Sequence, residues 1–282
     1  MKLICDSGST KSAWCLLDGS TPLHYTTQGI NPFQQTEDTI RAILTQELLP
    51  QIHDTGSIDE VFFFGAGCTT DKSPIVANAI RTSLTPDAKT IEVQSDMLGA
   101  AIALCGKQPG MVSILGTGSN SAYYDGNALV SCIPALGYIL GDEGSGAYIG
   151  KRLVGDILKC QFSERIREMF LHETNETQAS IIQKTYREPM ANRFLASLSP
   201  FCHRHLEEEE IQAFIRDCFR QFFERNIVPM VKMLDNGADT LSCVGSIAHY
   251  YKKEIEDVAG EYGIKIGRIL QAPIDGLAEY FS

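Results

Sequence analysis

The chain has 282 residues and a mass of 31.0 kDa, 44% apolar and 21% charged, enough to bury a core in one large domain or two ordinary ones. Its 24 basic and 35 acidic residues leave a net charge of −11, which argues against nucleic acid as a partner. The longest apolar stretch, 97–105, falls far short of the ~20 residues of a membrane span.

Asp6 interrupts the first apolar run, so no secretory signal is expected. The nine cysteines, none closer than ten residues to another, read as buried thiols in a reducing cytoplasm rather than a disulfide framework or a metal site. Residues 3–5 predict a strand, 6–12 a polar turn, and 13–17 a second strand running into Asp18-Gly19, a hairpin signal. Ile40, Ile43, Leu44 and Leu48 predict an amphipathic helix, 61–64 a buried strand, and Ile75, Ala79 and Ile80 another helix. A strand over 90–93 and a helix over about 96–105 follow. Gly106-Lys107-Gln108-Pro109-Gly110 then breaks the pattern, dividing the chain into an N-terminal lobe, 1–107, and a C-terminal lobe, 108–282. In the second lobe, 112–115 predict a strand, 116–121 a turn, and 122–124 a strand leading to Asp125-Gly126. Beyond Gly141 a helical insertion is expected, with one helix over about 145–160 and the longest over about 207–228. There Ile211, Phe214, Ile215, Cys218, Phe219, Phe222 and Phe223 form one core stripe, and Pro229 is expected to end or kink the helix. A strand at 241–244, a Gly245-Ser246 turn and a helix over 247–261 complete an α/β chain.

The opening strand–turn–strand recurs in the second lobe. Gly8-Ser9-Thr10 aligns with Gly118-Ser119-Asn120, and Ser12-Ala13-Trp14 with Ser121-Ala122-Tyr123, one residue being dropped between the blocks. Two copies of one unit, each opening a lobe, account for this. Such a turn leaves backbone N–H groups free, admits an anion close to glycine and adds hydroxyl donors. Two of them can grip a polyphosphate, with Lys11 adding charge and Asp6 holding hydrated Mg2+. Either turn taken alone is an ordinary hairpin. The P-loop pattern Gly-x4-Gly-Lys-Ser/Thr is absent. Gly65-Ala66-Gly67 is followed by Thr70 where a dinucleotide site has its third glycine, so that site is not expected either.

The run Asp6-Ser7-Gly8-Ser9-Thr10-Lys11-Ser12, with Gly116-Thr117-Gly118-Ser119-Asn120 and Gly141-Asp142-Glu143-Gly144-Ser145, resembles the BadF/BadG/BcrA/BcrD-type ATPase family. The closer likeness is to its N-acetylglucosamine kinase-like sugar kinases, and Val244-Gly245-Ser246-Ile247 extends it over nearly the whole chain. The resemblance implies the actin-like ATPase (ribonuclease H-like) fold, two related α/β lobes around a nucleotide cleft. It also implies an ATP- and Mg2+-dependent kinase of an amino sugar or N-acetyl amino sugar, acting in the cytoplasm; a homodimer is compatible with it. Residue by residue, it implies Asp6 near Mg2+ through water, and Ser9, Thr10 and Lys11 at the first phosphate site. Thr117, Gly118 and Ser119 would form the second, with Gly245 and Ser246 beside the adenosine. Asn31 and Asp142 would bond sugar hydroxyls, and Asp96 would deprotonate the attacking hydroxyl.

Local roles compete with these. Asp96 follows Ser95 at a helix start and could cap it, Asn31-Pro32 can initiate a turn, and Asp142 and Glu143 can complement a helix dipole. Asp142 reads as functional because glycines bracket the acidic pair; Glu143 stays open. Sugar-kinase relatives carry two glycines and a Trp before the Gly-Asp-Glu-Gly-Ser block, where this chain has Pro134-Ala135-Leu136-Gly137, which leaves the N-acetyl-binding wall and the sugar open. Leu115 and Ser121 flank the second turn where an iron–sulfur activator would need cysteine, and the clustered cysteines of zinc-dependent sugar kinases are missing. Two other classes stay open: an ATPase that switches a partner protein, and a sugar sensor without turnover.

Overall fold

The amino-terminal strand β1 (Lys2–Ser7) pairs antiparallel with β2 (Lys11–Leu17), which pairs with β3 (Leu23–Gln28); on its other side β1 runs parallel to β4 (Glu60–Gly65), followed by β5 (Thr90–Ser95). The computed structural model from which this follows describes every residue except Ser9, Ser20, Gly56 and Asp235. Strand alternation sends Leu3, Cys5, Trp14, Leu16, Val61 and Phe63 to one face. There they pack with Ile40 of α1 (Glu37–Ile43) and with Val76, Ala79 and Ile80 of α2 (Ser73–Ser83). Buried Trp14 keeps its indole N–H satisfied by donating to Thr27 Oγ1 at 3.0 Å. The opposite face, with Phe62 and Phe64, meets α3 (Asp96–Cys105) and the C-terminal helix Pro273–Phe281, whose Phe281 stacks on Phe62 at 4.1 Å.

The second sheet has the same plan. β6 (Gly110–Leu115), β7 (Ser119–Tyr124) and β8 (Leu129–Ile133) form an antiparallel meander, and β9 (Thr240–Val244) and β10 (Lys265–Leu270) continue in parallel beyond β6. The order β3-β2-β1-β4-β5 thus recurs as β8-β7-β6-β9-β10. The repeat has a buried chemical mark. Ser7 and Ser12 are cross-strand partners with hydroxyls 2.7 Å apart, and Ser113 and Ser121 are cross-strand partners at 2.8 Å.

Between β8 and β9 lie the single turn α4 (Gly137–Leu140), then α5 (Gly146–Leu158), and α6 to α9 (Glu164–Thr174, Gln178–Tyr186, Ala191–Leu198, Pro200–Arg204). The long helix α10 (Glu209–Phe222) passes through a π-helical turn, Phe223–Ile227, into α11 (Val228–Leu234). Pro229 therefore does not end the helix. It sits in the first turn of α11, where a missing N–H costs least. The helix expected over 247–261 is two helices, α12 (Ser246–Tyr250) and α13 (Lys252–Glu261). The amphipathic pattern ending at Leu48 leaves α1 for a π-helical turn, Leu44–Leu48.

The chain forms two compact units, Met1–Gln108 with Gly126–Ala128 and Ala272–Ser282, and Pro109–Asp125 with Leu129–Gln271. Two stretches that follow residue 107 in the chain, the Gly126 turn and the C-terminal helix, thus belong to the first unit. All nine cysteines are free thiols; six are buried, Cys105 is half-buried, and Cys132 and Cys160 are exposed. No helix is long and apolar enough to cross a membrane among the described residues.

Candidate active site

In the first unit the carboxyl ends of β1, β4 and β5 stop at one level, Ser7 opposite Gly65 and Gly65 opposite Ser95. Asp6 lies one residue before that rim and Asp96 one residue after it. Withdrawal from solvent pushes the Asp6 carboxyl up to about 7, and the negative charge of Asp96 adds to this. Asp96 is raised for the same leading reason, partly offset by the Met97 N–H that donates to its Oδ1 at 2.8 Å. The local capping role falls to its neighbour. Ser95 is the N-cap of α3, its Oγ accepting from Leu98 N at 3.2 Å, and Asp96 is the first helical residue.

Ser7 ties the rim to the segment after β3. Its Oγ accepts from Ile30 N at 2.9 Å and donates to Ile30 O at 3.0 Å, and the next residue is Asn31. Asn31 is buried. Its Oδ1 accepts from Phe33 N at 3.0 Å, the turn that Asn-Pro predicts, so its carbonyl is committed to the backbone. Gly67 presses against the same oxygen. A Cβ there would lie 2.3 Å from Asn31 Oδ1, and its φ of +78° is one glycine tolerates. In the first turn, Gly8 N donates to Lys11 O at 3.0 Å, so that N–H is not free. Thr10 and Lys11 are exposed, and Ser9 lies outside the described residues.

The second unit brings three segments together at the ends of β6 and β9. Gly245 follows β9 with φ +122°, and a Cβ there would lie 2.3 Å from Leu115 O, so only glycine lets the two backbones meet. The start of α5 docks on the same turn, Gly146 N donating to Gly116 O at 2.8 Å and Ala147 N to Thr117 O at 3.1 Å. Among the described residues no hydrogen bond engages the N–H groups of Thr117 and Gly118. Ser119 is differently placed. Its Oγ donates to Glu143 O at 2.9 Å, and its N–H bonds the Asp142 carboxylate, so it links two loops. Ser246 is exposed and opens α12.

Asp142 has a left-handed backbone, φ +57°, and its Oδ2 lies 3.1 Å from where a Gly118 Cβ would be. Partial burial raises its carboxyl, against the Ser119 N–H that lowers it. Glu143, left open by its sequence context, is buried and paired with Arg225 at 2.5 Å, with Asn226 Nδ2 at 3.4 Å from its other oxygen. Nothing in the sequence ties residue 143 to 225 and 226, on a segment more than 80 residues away; only the presence of an acid between glycines drew notice. The stretch 134–137 leads into α4, where Leu136, Ile139 and Leu140 are exposed. No group of three or more His, Cys, Asp or Glu residues that could hold a metal ion lies together among the described residues.

The chain is 43% identical to a candidate N-acetylglucosamine kinase from Porphyromonas gingivalis, with a TM-score of 0.94 over 99% of this chain and 98% of that one. A candidate N-acetylglucosamine kinase from Chromobacterium violaceum superposes with a TM-score of 0.74 at 16% identity, over 100% and 98% of the chains. A ROK family glucokinase from Streptomyces griseus, solved with glucose and AMPPNP, gives 0.56 at 15% identity over 99% and 97%. The last two show the fold alone, that of the actin-like ATPases. No family model and no curated protein sequence matches.

Proposed function

Because the chain belongs to the N-acetylglucosamine kinase-like sugar kinases of the actin-like ATPase superfamily, we propose that it moves the γ-phosphoryl group of ATP to a hydroxyl of an amino sugar or N-acetyl amino sugar. It is an ATP-dependent phosphotransferase, and the proposal concerns its acceptor, its cation and its residues. The observation that carries the acceptor chemistry is Asp96. Ser95 is the N-cap of α3 and Asp96 accepts the adjacent Met97 N–H, and this carboxylate stands at the strand ends with its basicity raised.

In that reading Asp96 accepts the hydroxyl proton as the sugar oxygen bonds to the γ-phosphorus and the bond from phosphorus to the ADP oxygen breaks. The free N–H groups of Thr117 and Gly118 hold phosphate oxygens at the second turn, and Thr10 and Lys11 do so at the first. Ser119 supports this from behind, and Gly245 and Ser246 border the adenosine. Asn31, through its amide N–H groups, and Asp142 orient the sugar. Asp6 and Asp96 resist ionising together, which suits a divalent cation beside Asp6; Mg2+ would neutralise phosphate charge there. The partners are then small molecules, and nine free thiols agree with a cytoplasmic setting.

The test is ADP release by the purified chain across glucosamine, N-acetylglucosamine, N-acetylmannosamine and N-acetylmuramic acid. Sugar-dependent ADP with matching sugar phosphate is expected. ADP release indifferent to sugar would mean a switch ATPase, and sugar binding without ADP would mean a sensor.

A further inference from the structure

The buried Glu143 has no part in the scheme above, and it is the chain neighbour of Asp142. Its side chain is 8% exposed, and a carboxylate so placed is costly unless paired. Both partners come from one place, the π-helical turn Phe223–Ile227. Arg225 Nε meets Oε1 at 2.5 Å and Asn226 Nδ2 approaches Oε2 at 3.4 Å. The widened turn presents these two consecutive polar residues while Phe223 and Ile227 stay in the core. Gly144, with φ +79°, leans on Phe222 immediately before that turn, a Cβ there lying 3.0 Å from Phe222 Cβ.

Glu143 is also fixed through its backbone, since its carbonyl accepts the Ser119 hydroxyl. Its chain neighbour Asp142 carries a left-handed φ of +57°, a conformation uncommon outside glycine and held here by its surroundings. Lys151, the other nearby cation, faces both acids but gives its Nζ to Tyr138 O at 2.5 Å. Residue 142 is thus held by the Ser145 N–H on its carbonyl and the Ser119 N–H on its carboxylate on one side, and through Glu143 by the π-helical turn on the other.

We propose that Glu143, clamped by Arg225 and Asn226, is a positioning residue that holds Asp142 in its left-handed conformation against Gly118 and so sets affinity for the sugar. This rests on the reading of Asp142 as a sugar contact. The clamp predicts a loss in acceptor binding rather than in phosphoryl transfer, because Asp96 lies on the other unit and is untouched.

The experiment uses the full chain with Arg225→Ala, Arg225→Lys, Glu143→Gln and the Glu143→Gln/Arg225→Ala pair. Arg225→Ala should raise the sugar KM by ~10-fold or more with kcat and ATP KM changed less than ~3-fold, the split expected for lost ground-state positioning. Arg225→Lys should recover most of that loss, and the pair should be no worse than its worse member, because both remove one contact. Unchanged sugar KM in folded variants, or additive losses in the pair, would overturn the clamp. A crystal structure of Arg225→Ala separates this from the function: Asp142 leaving the left-handed region upholds the clamp even if no sugar is turned over, and Asp142 unmoved rejects it.

Discussion

The two sheets share an order and a buried serine pair, but the strands that open them end differently. β1 reaches its turn through Asp6, whereas β6 reaches its turn through Ile114 and Leu115. In the first unit acids come from the strand rim itself, Asp6 before it and Asp96 after it, and withdrawal from solvent raises both. In the second the strand end is apolar, the turn keeps free N–H donors, and the acid arrives from the 141–145 loop beside Gly118. One duplicated frame thus carries two electrostatic characters. A strand end can change sign of charge without altering the ladder, because its hydrogen bonds are made by the backbone.

The sharpest way to break this contrast is Asp96→Asn. Since Ser95 holds the cap, the variant should fold, bind nucleotide and sugar within a few-fold, and lose at least ~100-fold in kcat. Near-normal turnover in a steady-state assay would leave the rim acids without a catalytic part. Next comes the difference between turn glycines. Gly245→Ala puts a Cβ against Leu115 O at positive φ and should destabilise the chain by ~2 kcal/mol or more, while Gly8→Ala, 3.7 Å from its nearest atom, should stay within ~0.5 kcal/mol. Denaturant midpoints of the two variants decide it; equal losses would dissolve the distinction.

The serine pairs predict an unequal response as well. Ser7→Ala leaves the backbone groups of Ile30 without their partner, while Ser12 keeps its bond to Gln28 O, so it should cost ~1–3 kcal/mol, and Ser113→Ala, which releases only Ser121, nearer ~1 kcal/mol. Urea titrations that reverse this order would mean that Ser7 does not anchor the Asn31 segment. The smallest effect concerns pH. Asp6 moves from 3.8 toward about 7 on folding, so between those values the folded chain keeps a proton that the unfolded chain has released. Its contribution to stability therefore falls as pH rises across that window. Asp6→Asn should raise the ligand-free melting temperature by a few degrees at pH 8 and by less at pH 5, while impairing activity. A melting temperature lowered at pH 8 would show that the carboxylate is well accommodated when charged.

The elements legible in advance are those with strong local patterns. β1, β2, β4, β6 and β9 have apolar runs, and α10 has a stripe of six buried positions that continues to Phe223. The edge strands β3, β8 and β10 escaped, because of all their residues only Thr27 is buried and their sequences are mixed. Among site residues, the glycine turns and Asp96 stood out by type and position. The division of labour at Ser95 and Asp96 did not, since either residue can cap a helix and only the backbone geometry chose Ser95.

By itself the sequence determined the α/β alternation, the duplicated strand–turn–strand and the chemical kinds of residue at each turn, because these are short-range properties of neighbouring side chains. Tertiary structure decided which donors are free. Gly8 N is spent on Lys11 O and Ser119 on Asp142 and Glu143, whereas the N–H groups of Thr117 and Gly118 stay available. It also decided that Glu143 meets Arg225 and Asn226, and that the C-terminal helix packs in the first unit. Whether a hydrogen bond is made depends on what the rest of the chain brings within ~3 Å, and residues far apart in sequence leave no local pattern to announce that they will meet.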